Sequence, residues 1–283
     1  MALEFHLFAL VLIAALMHAS WNALIKVSGD RFFTMATVMG SASLILIPVI
    51  PFVSFPPLSA LPFLFLSVAL HLGYYGMLIF AYRHGDLSAV YPVARGSSPI
   101  LIAIGAYLFA GQSLGPVAAS GLALASGGMC LFAFERGLPT RHLLKPLGIA
   151  LSVGLSIAGY TLVDGLGLRQ TPSAIDYIVW LSFLDGIPLM VWAFAFRAPI
   201  YVVYLRKEGM KAFVGGALSL VAYGLVLYVL STGSMAHVSA LRETSVLFAV
   251  IIGALTLKEQ FGPIRWLAAL AIVGGVVVMQ FAG

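Results

Sequence analysis

Residues 91–116 read YPVARGSSPILIAIGAYLFAGQSLGP, and residues 239–263 read SALRETSVLFAVIIGALTLKEQFGP. Laid over one another at an offset of 148, they align Ser97 with Ser245, Gly105 with Gly253, Ala106 with Ala254 and Gln112 with Gln260. A one-residue slip in the following loop then brings Gly115-Pro116 onto Gly262-Pro263. The match runs on in both directions. Upstream, Leu70, Tyr75, Gly76, Gly85 and Val90 fall on Leu218, Tyr223, Gly224, Gly233 and Val238; downstream, Gly127-Gly128 falls on Gly274-Gly275. Apolar helices resemble one another easily because few residue types dominate them. Gly, Pro and Gln recurring in one order across a loop is harder to obtain that way, so the chain reads as an internal duplication of residues 1–138 and 139–283.

Around the repeat the composition is that of a chain dissolved in lipid. Of 283 residues, 61% are hydrophobic and 9% charged, and the mean hydropathy is +1.06, whereas soluble domains carry about 25% charged residues. A membrane helix needs about 20 apolar residues. Ten stretches qualify: Phe5–Ile25, Phe33–Phe55, Leu61–Tyr82, Leu87–Ala110, Pro116–Phe134, Pro146–Leu166, Ala174–Phe196, Ala212–Ser231, His237–Leu257 and Ile264–Phe281. The fold class expected is all-α integral membrane, ten transmembrane helices as two inverted five-helix repeats. Inversion follows from arithmetic, because five spans are an odd number and the second half must enter the bilayer from the other side.

Charge tests that expectation. Loops after the odd-numbered spans hold Lys26, Arg31, Arg83, Arg136, Arg141, Lys145, Arg197, Arg206, Lys207, Lys211, Lys258 and Arg265, twelve of the 15 Lys and Arg. The alternate loops hold only Arg169, and Arg95 and Arg242 lie within spans. By the positive-inside rule the odd loops face the cytoplasm and both termini lie outside, which puts the protein in the cell inner (cytoplasmic) membrane. The net charge of +5 is thereby explained by topology rather than by a nucleic-acid partner. The first span is read as a span and not a signal peptide, since Glu4 precedes it and no Lys or Arg does. Cys130 is the one cysteine, so no intramolecular disulfide is expected.

Ionisable groups at membrane depth are costly unless they face protein or water, so each is a candidate for function. Arg95 shares a helix face with Tyr91 and Ser98, a stripe able to hold a carboxylate or phosphate. Its repeat counterpart is Glu243, with Arg242 beside it; the competing reading is an internal ion pair that locks the bundle. The third span carries His71, Tyr74, Tyr75 and Tyr82 at spacings of three and four, and Tyr75 repeats as Tyr223. The first span brings His18, Trp21 and Asn22, and the sixth brings Ser152, Ser156, Tyr160 and Asp164 at intervals of four. The substrate-binding residues expected are therefore Arg95, Tyr91, Ser98, His71, Tyr74, Tyr75, Trp21, Asn22, Tyr160, Tyr223, Arg242 and Glu243. Candidates to carry a coupling proton are His18, His71, Asp164 and Glu243, with Asp185 also able to do so. Asp176 and Asp185 are read mainly as a helix start and a packed interface. The paired glycines favour close helix packing.

Catalytic signatures are missing. Gly111-Gln112-Ser113-Leu114-Gly115 has the spacing of a nucleophile elbow but follows a membrane helix, not a strand. No HExxH, phosphate-binding loop or Cys/His cluster is present, so neither an enzyme nor a metal site nor an ATP-driven pump is expected, and no cofactor.

The stretch from Ala240 to Met279, with Leu247–Leu257, then Lys258-Glu259-Gln260-Phe261-Gly262-Pro263 and a Gly-Gly-bearing last helix, resembles the closing part of an EamA domain of the drug/metabolite transporter superfamily. The first-half equivalent, from Tyr91-Pro92 through Ser98-Pro99 to Gly111-Gln112, resembles it too, although Gly111 stands where the second half keeps Glu259. The resemblance implies ten helices around a central cavity lined by the first, third, fourth, sixth, eighth and ninth, and a carrier of amino acids, sugar phosphates, nucleotide sugars, choline or drugs. Expected is a secondary transporter, an exporter of small polar metabolites with an anionic group, amino acids foremost, proton-coupled, and a monomer or homodimer in the lipid bilayer. A carrier of cationic or aromatic drug-like compounds is the alternative, and a membrane enzyme or a non-transporting assembly subunit the alternative of another class.

Overall fold

The computed structural model describes residues 3–26, 30–84, 87–132, 144–257 and 262–281. Its elements are α1 Phe5–Lys26, α2 Arg31–Leu46, a 3-10 turn Ile50–Phe52, α3 Leu61–His84, α4 Leu87–Ala110, α5 Pro116–Leu131, α6 Leu144–Leu168, α7 Ala174–Thr232, α8 Met235–Arg242, α9 Ser245–Leu257 and α10 Pro263–Phe281. Among the described residues seven helical segments are long and apolar enough to cross a membrane, and α2 and α5 are shorter apolar helices. The chain is a multi-pass membrane protein. Its packing is inverted relative to a soluble domain: Phe109, Leu108, Leu270 and Phe281 stand exposed, while Asp164, Arg95, Arg242 and Glu243 are buried, as lipid outside and polar contacts inside require.

Three boundaries differ from the expected spans, each for a local reason. The second span was expected to run to Phe55, but α2 stops at Leu46 because Pro48 and Pro51 remove backbone donors and fix φ. At its other end Asp30 accepts a bond from the Phe33 N–H at 3.0 Å, capping the helix. The seventh and eighth spans, expected with a loop at 197–211 between them, form one helical segment of 59 residues bent at Arg197 (φ −141°, ψ 26°). Pro199 accounts for the bend, since its ring cannot sit behind an unbroken helical turn. Beyond it the arms fold back: Ile178 Cγ2 lies 3.5 Å from where a Cβ on Gly224 would be, whereas 46 residues of straight helix would separate them by about 69 Å.

The ninth expected span divides into α8 and α9. At the junction Glu243 N bonds Ala240 O at 3.1 Å and Thr244 N bonds Leu241 O at 3.1 Å, tightened turns in place of α-helical ones. The Thr244 hydroxyl also donates to Leu241 O at 2.7 Å, occupying a carbonyl the helix would use.

Small residues set the helix contacts. A Cβ on Gly275 would meet Gly121 O at 2.5 Å, and one on Gly128 would meet Ala268 O at 2.9 Å, so α5 and α10 approach backbone to backbone. Gly186 of the first α7 arm abuts Met39 and Ser43 of α2, and Gly216 of the second abuts Val38 and Ser41 of the same helix. The main apolar core gathers Val11, Leu64, Ile102, Tyr177, Leu181, Leu227, Leu230 and Met235 from five helices.

Candidate functional site

Two polar clusters lie inside this bundle. The first forms where α4 meets the α8–α9 junction. Pro99 lacks the N–H that would bond the Arg95 carbonyl, and the Ser98 hydroxyl donates to that carbonyl instead at 3.2 Å. Ser98 therefore supplies the bond that its own helix lacks at this point. The Arg95 side chain, 4% exposed, places Nε 2.8 Å from Glu243 Oε2, itself 1% exposed, and donates from Nη2 to Ser245 Oγ at 3.1 Å. Arg95 and Glu243 stand 148 residues apart, the offset at which the two stretches of sequence align.

Arg242 is equally buried but differently placed. Its Nε and Nη2 are shielded and have no hydrogen-bond partner among the described residues. It lies within electrostatic reach of Glu243, of His18 on α1 and of Tyr223 on α7. His18 stands edge-on to Trp21 with ring centroids 5.2 Å apart. The Asn22 amide donates to the His18 carbonyl at 2.8 Å, tying it to its own helix.

The second cluster is a box of rings from α3, α6 and α7. His71 stacks on Tyr160 at 4.1 Å between centroids and stands edge-on to Tyr223 at 5.5 Å. Tyr74 meets both Tyr75 and Tyr160 at 5.6 Å. Two carboxylates close it. Tyr75 OH donates to Asp185 Oδ2 at 2.6 Å, and Tyr223 OH donates to Asp164 Oδ2 at 2.5 Å. A longer contact of 3.4 Å runs from Tyr177 OH to Asp164 Oδ1. Tyr75 and Tyr223, 148 residues apart, thus perform the same task, each holding one aspartate. His71 is anchored through Nδ1 to Ser67, 3.0 Å from its carbonyl and 3.2 Å from its hydroxyl, and interacts electrostatically with both aspartates. Asp185 Oδ1 is shielded from solvent without a hydrogen-bond partner.

Of the expected site residues, Arg95, Arg242, Glu243 and His18 gather in the first cluster, and His71, Tyr74, Tyr75, Tyr160, Tyr223 and Asp164 in the second. The side chains of Tyr91, Tyr82 and Lys26 lie outside the described residues, as do Arg136, Arg141 and the segment Lys258–Phe261. The expected sixth-span stripe is only partly internal: Ser156 and Asp164 are buried, while exposed Ser152 bonds Gly148 O. Sequence reasoning underweighted Asp185 and passed over Tyr177, Ser67 and Ser245. An acid eleven residues into an apolar span was the available signal for Asp185; the others are ordinary on a helix until a partner is known. Among the described residues no three His, Cys, Asp or Glu side chains converge as metal ligands.

Comparison with known proteins adds four findings. Residues 144–281 match the EamA-like transporter family. An uncharacterized transporter of Synechocystis is 26% identical over 187 residues, 60% of this chain and 56% of that protein. A WAT1-related chloroplastic protein of Arabidopsis thaliana is 24% identical over 193 residues, 65% of this chain and 46% of that one. The chain spans about half the length of the curated relatives it matches. A solved protein crystal structure superposes with a TM-score of 0.77 over 98% of both chains at 13% identity, which shows a shared fold.

Proposed function

We propose that this chain, whose residues 144–281 match the EamA-like transporter family, a family of transporters and not of enzymes, is a member of that family and a secondary transporter. It exports small polar metabolites, amino acids foremost, by alternating access at a central site between two inverted five-helix repeats, residues 1–138 and 139–283. Support for the inverted plan comes from matched contacts. Gly121 and Gly128 of α5 face Gly275 and Ala268 of α10, which are the same two repeat positions exchanged, and Arg95 pairs with its own counterpart Glu243.

The observation that carries the proposal is the ring box with Asp164 and Asp185. A stack of His71 on Tyr160, with Tyr74, Tyr75 and Tyr223 around it, offers aromatic walls for a small organic molecule, and the carboxylates offer acceptors. The box draws on α3 of the first half and on α6 and α7 of the second, where relative motion of the halves would open it. The protein resides in the inner membrane with basic loops cytoplasmic, as a monomer or homodimer. His18, His71, Asp164 and Glu243 are the groups placed to carry a coupling proton.

Counterflow in proteoliposomes tests this: unlabelled metabolite inside, labelled amino acid, organic acid or quaternary amine outside. Saturable exchange of amino acids that Tyr160→Ala reduces at least tenfold is the expected result; no exchange of any compound by folded protein overturns it. A second reading, a carrier of cationic or aromatic drug-like compounds, draws on the same tyrosines through cation–π contact and on the same aspartates. Quaternary amines that outcompete amino acids in that assay would favour it.

A further inference from the structure

Among the described residues, the layer beside the ring box, with Asp164 and Asp185 of the box left apart, carries one positive charge more than it neutralises. Its charged members are Arg95, Arg242 and Glu243, all buried, and the single carboxylate is engaged by Arg95 at 2.8 Å. Among the described residues Arg242 has no carboxylate within ion-pair distance, and its Nε and Nη2 have no hydrogen-bond partner. A buried guanidinium whose donors are left unbonded is costly, so the arrangement makes sense when a ligand supplies the acceptors.

Resting on the transport reading, we propose that Arg242, rather than Arg95, is the anion subsite for the substrate, and that it takes one carboxylate. The open atoms choose the ligand. Nε and Nη2 form one edge of the guanidinium, two parallel N–H groups of the spacing that a carboxylate's two oxygens accept side by side. Arg95 lacks that opening, because Nε faces Glu243 and Nη2 donates to Ser245 at 3.1 Å. Charge count then sets valence. Among the described residues of that layer, two guanidinium groups and one carboxylate leave a single excess positive charge, which a monoanion cancels and a dianion overshoots.

Position extends the assignment. Leu241, the neighbour of Arg242, belongs to the apolar cluster against which Tyr223 packs, and Arg242 lies within electrostatic reach of that tyrosine, whose hydroxyl donates to Asp164, so the subsite lies on the ring box's side of the bundle. A molecule whose carboxylate sits on Arg242 would direct its remainder toward Tyr223 and the aspartates. An ammonium group fits that end, since Asp185 Oδ1 is shielded and unpartnered there. The substrate class selected is a zwitterion with one carboxylate and one amine, ahead of a phosphate ester or a plain cation.

The test uses purified full-length protein in detergent, with acetate and sulfate as probes and thermal unfolding as readout. Acetate is expected to raise the unfolding midpoint saturably and sulfate to do so at least tenfold less effectively. In Arg242→Gln the apparent acetate affinity is expected to fall at least tenfold, with Arg242→Lys between the two. Equal acetate binding by Arg242→Gln and wild type, or preference for sulfate in the wild type, overturns the subsite; the second comparison needs no variant. Counterflow separates this from the transport reading. Arg242-dependent acetate binding in a protein that exchanges no amino acid keeps the subsite and removes the transporter. Amino-acid exchange undiminished by Arg242→Gln does the reverse.

Discussion

Replacing Arg242 by methionine is expected to stabilise the protein, although it removes a buried side chain that the proposed function needs. Nε and Nη2 are desolvated without partners, and an unsatisfied buried donor costs about 1–3 kcal/mol. Exchanging buried charge for an apolar side chain of similar volume can return about 1–4 kcal/mol. Methionine fills irregular space without a donor, so a net gain of about 1–3 kcal/mol is expected. Arg95→Met is the matched control and should go the other way. It strips Glu243 of its 2.8 Å partner, a loss of about 3–5 kcal/mol when a buried charge is left alone, lessened if Arg242 turns to take Glu243. Unfolding of both variants in detergent, followed by fluorescence of the four tryptophans, supplies the comparison. Opposite signs support the charge count. Destabilisation of Arg242→Met as large as that of Arg95→Met would mean that Arg242 has a native counter-ion, and the reasoning about an open anion site would fail.

Other outcomes follow from particular contacts. Gly275→Leu should lower the unfolding midpoint strongly, by about 1–3 kcal/mol or more, because a Cβ there already meets Ala125 N and Gly121 O at 2.5 Å, whereas Gly127→Ala, with nothing within 4 Å, should leave it unchanged. Tyr75→Phe removes the 2.6 Å donor to Asp185 and should cost about 1–3 kcal/mol together with a loss of counterflow; Tyr223→Phe should do the same through Asp164, and transport at wild-type rates by both would exclude the two pairs from the site. Arg169→Ala should loosen the tie between the end of α6 and the turn from α7 to α8, since Arg169 donates to Gly165 O at 2.5 Å and Gly233 O at 3.2 Å; faster hydrogen exchange at residues 165–170 and 231–235 is the readout.

Much was legible before any coordinates. The apolar runs, the repeat and the alternation of basic loops are properties of composition and order along the chain, and a bilayer enforces them residue by residue. The polar candidates were legible for the same reason: an ionisable residue inside an apolar span has few ways to be tolerated. Helix ends were less so. Pro48 and Pro51 announce the stop of α2, but whether Pro199 ends a helix or merely bends one depends on what receives the far side of the bend, here the packing of Gly216 on Val38 and Ser41.

The sequence by itself determined that this chain lives in lipid and which side chains must be sheltered from the hydrocarbon. Only the tertiary structure decided how those side chains divide into pairs. Arg95 and Arg242 are the same residue type at similar depth, and nothing local distinguishes them. One is neutralised by Glu243 and the other left open because a hydrogen bond or ion pair reaches about 3 Å, so partnership is set by how α4, α8 and α9 meet in space. Asp185 became part of a site by the same route, through a tyrosine 110 residues earlier in the chain.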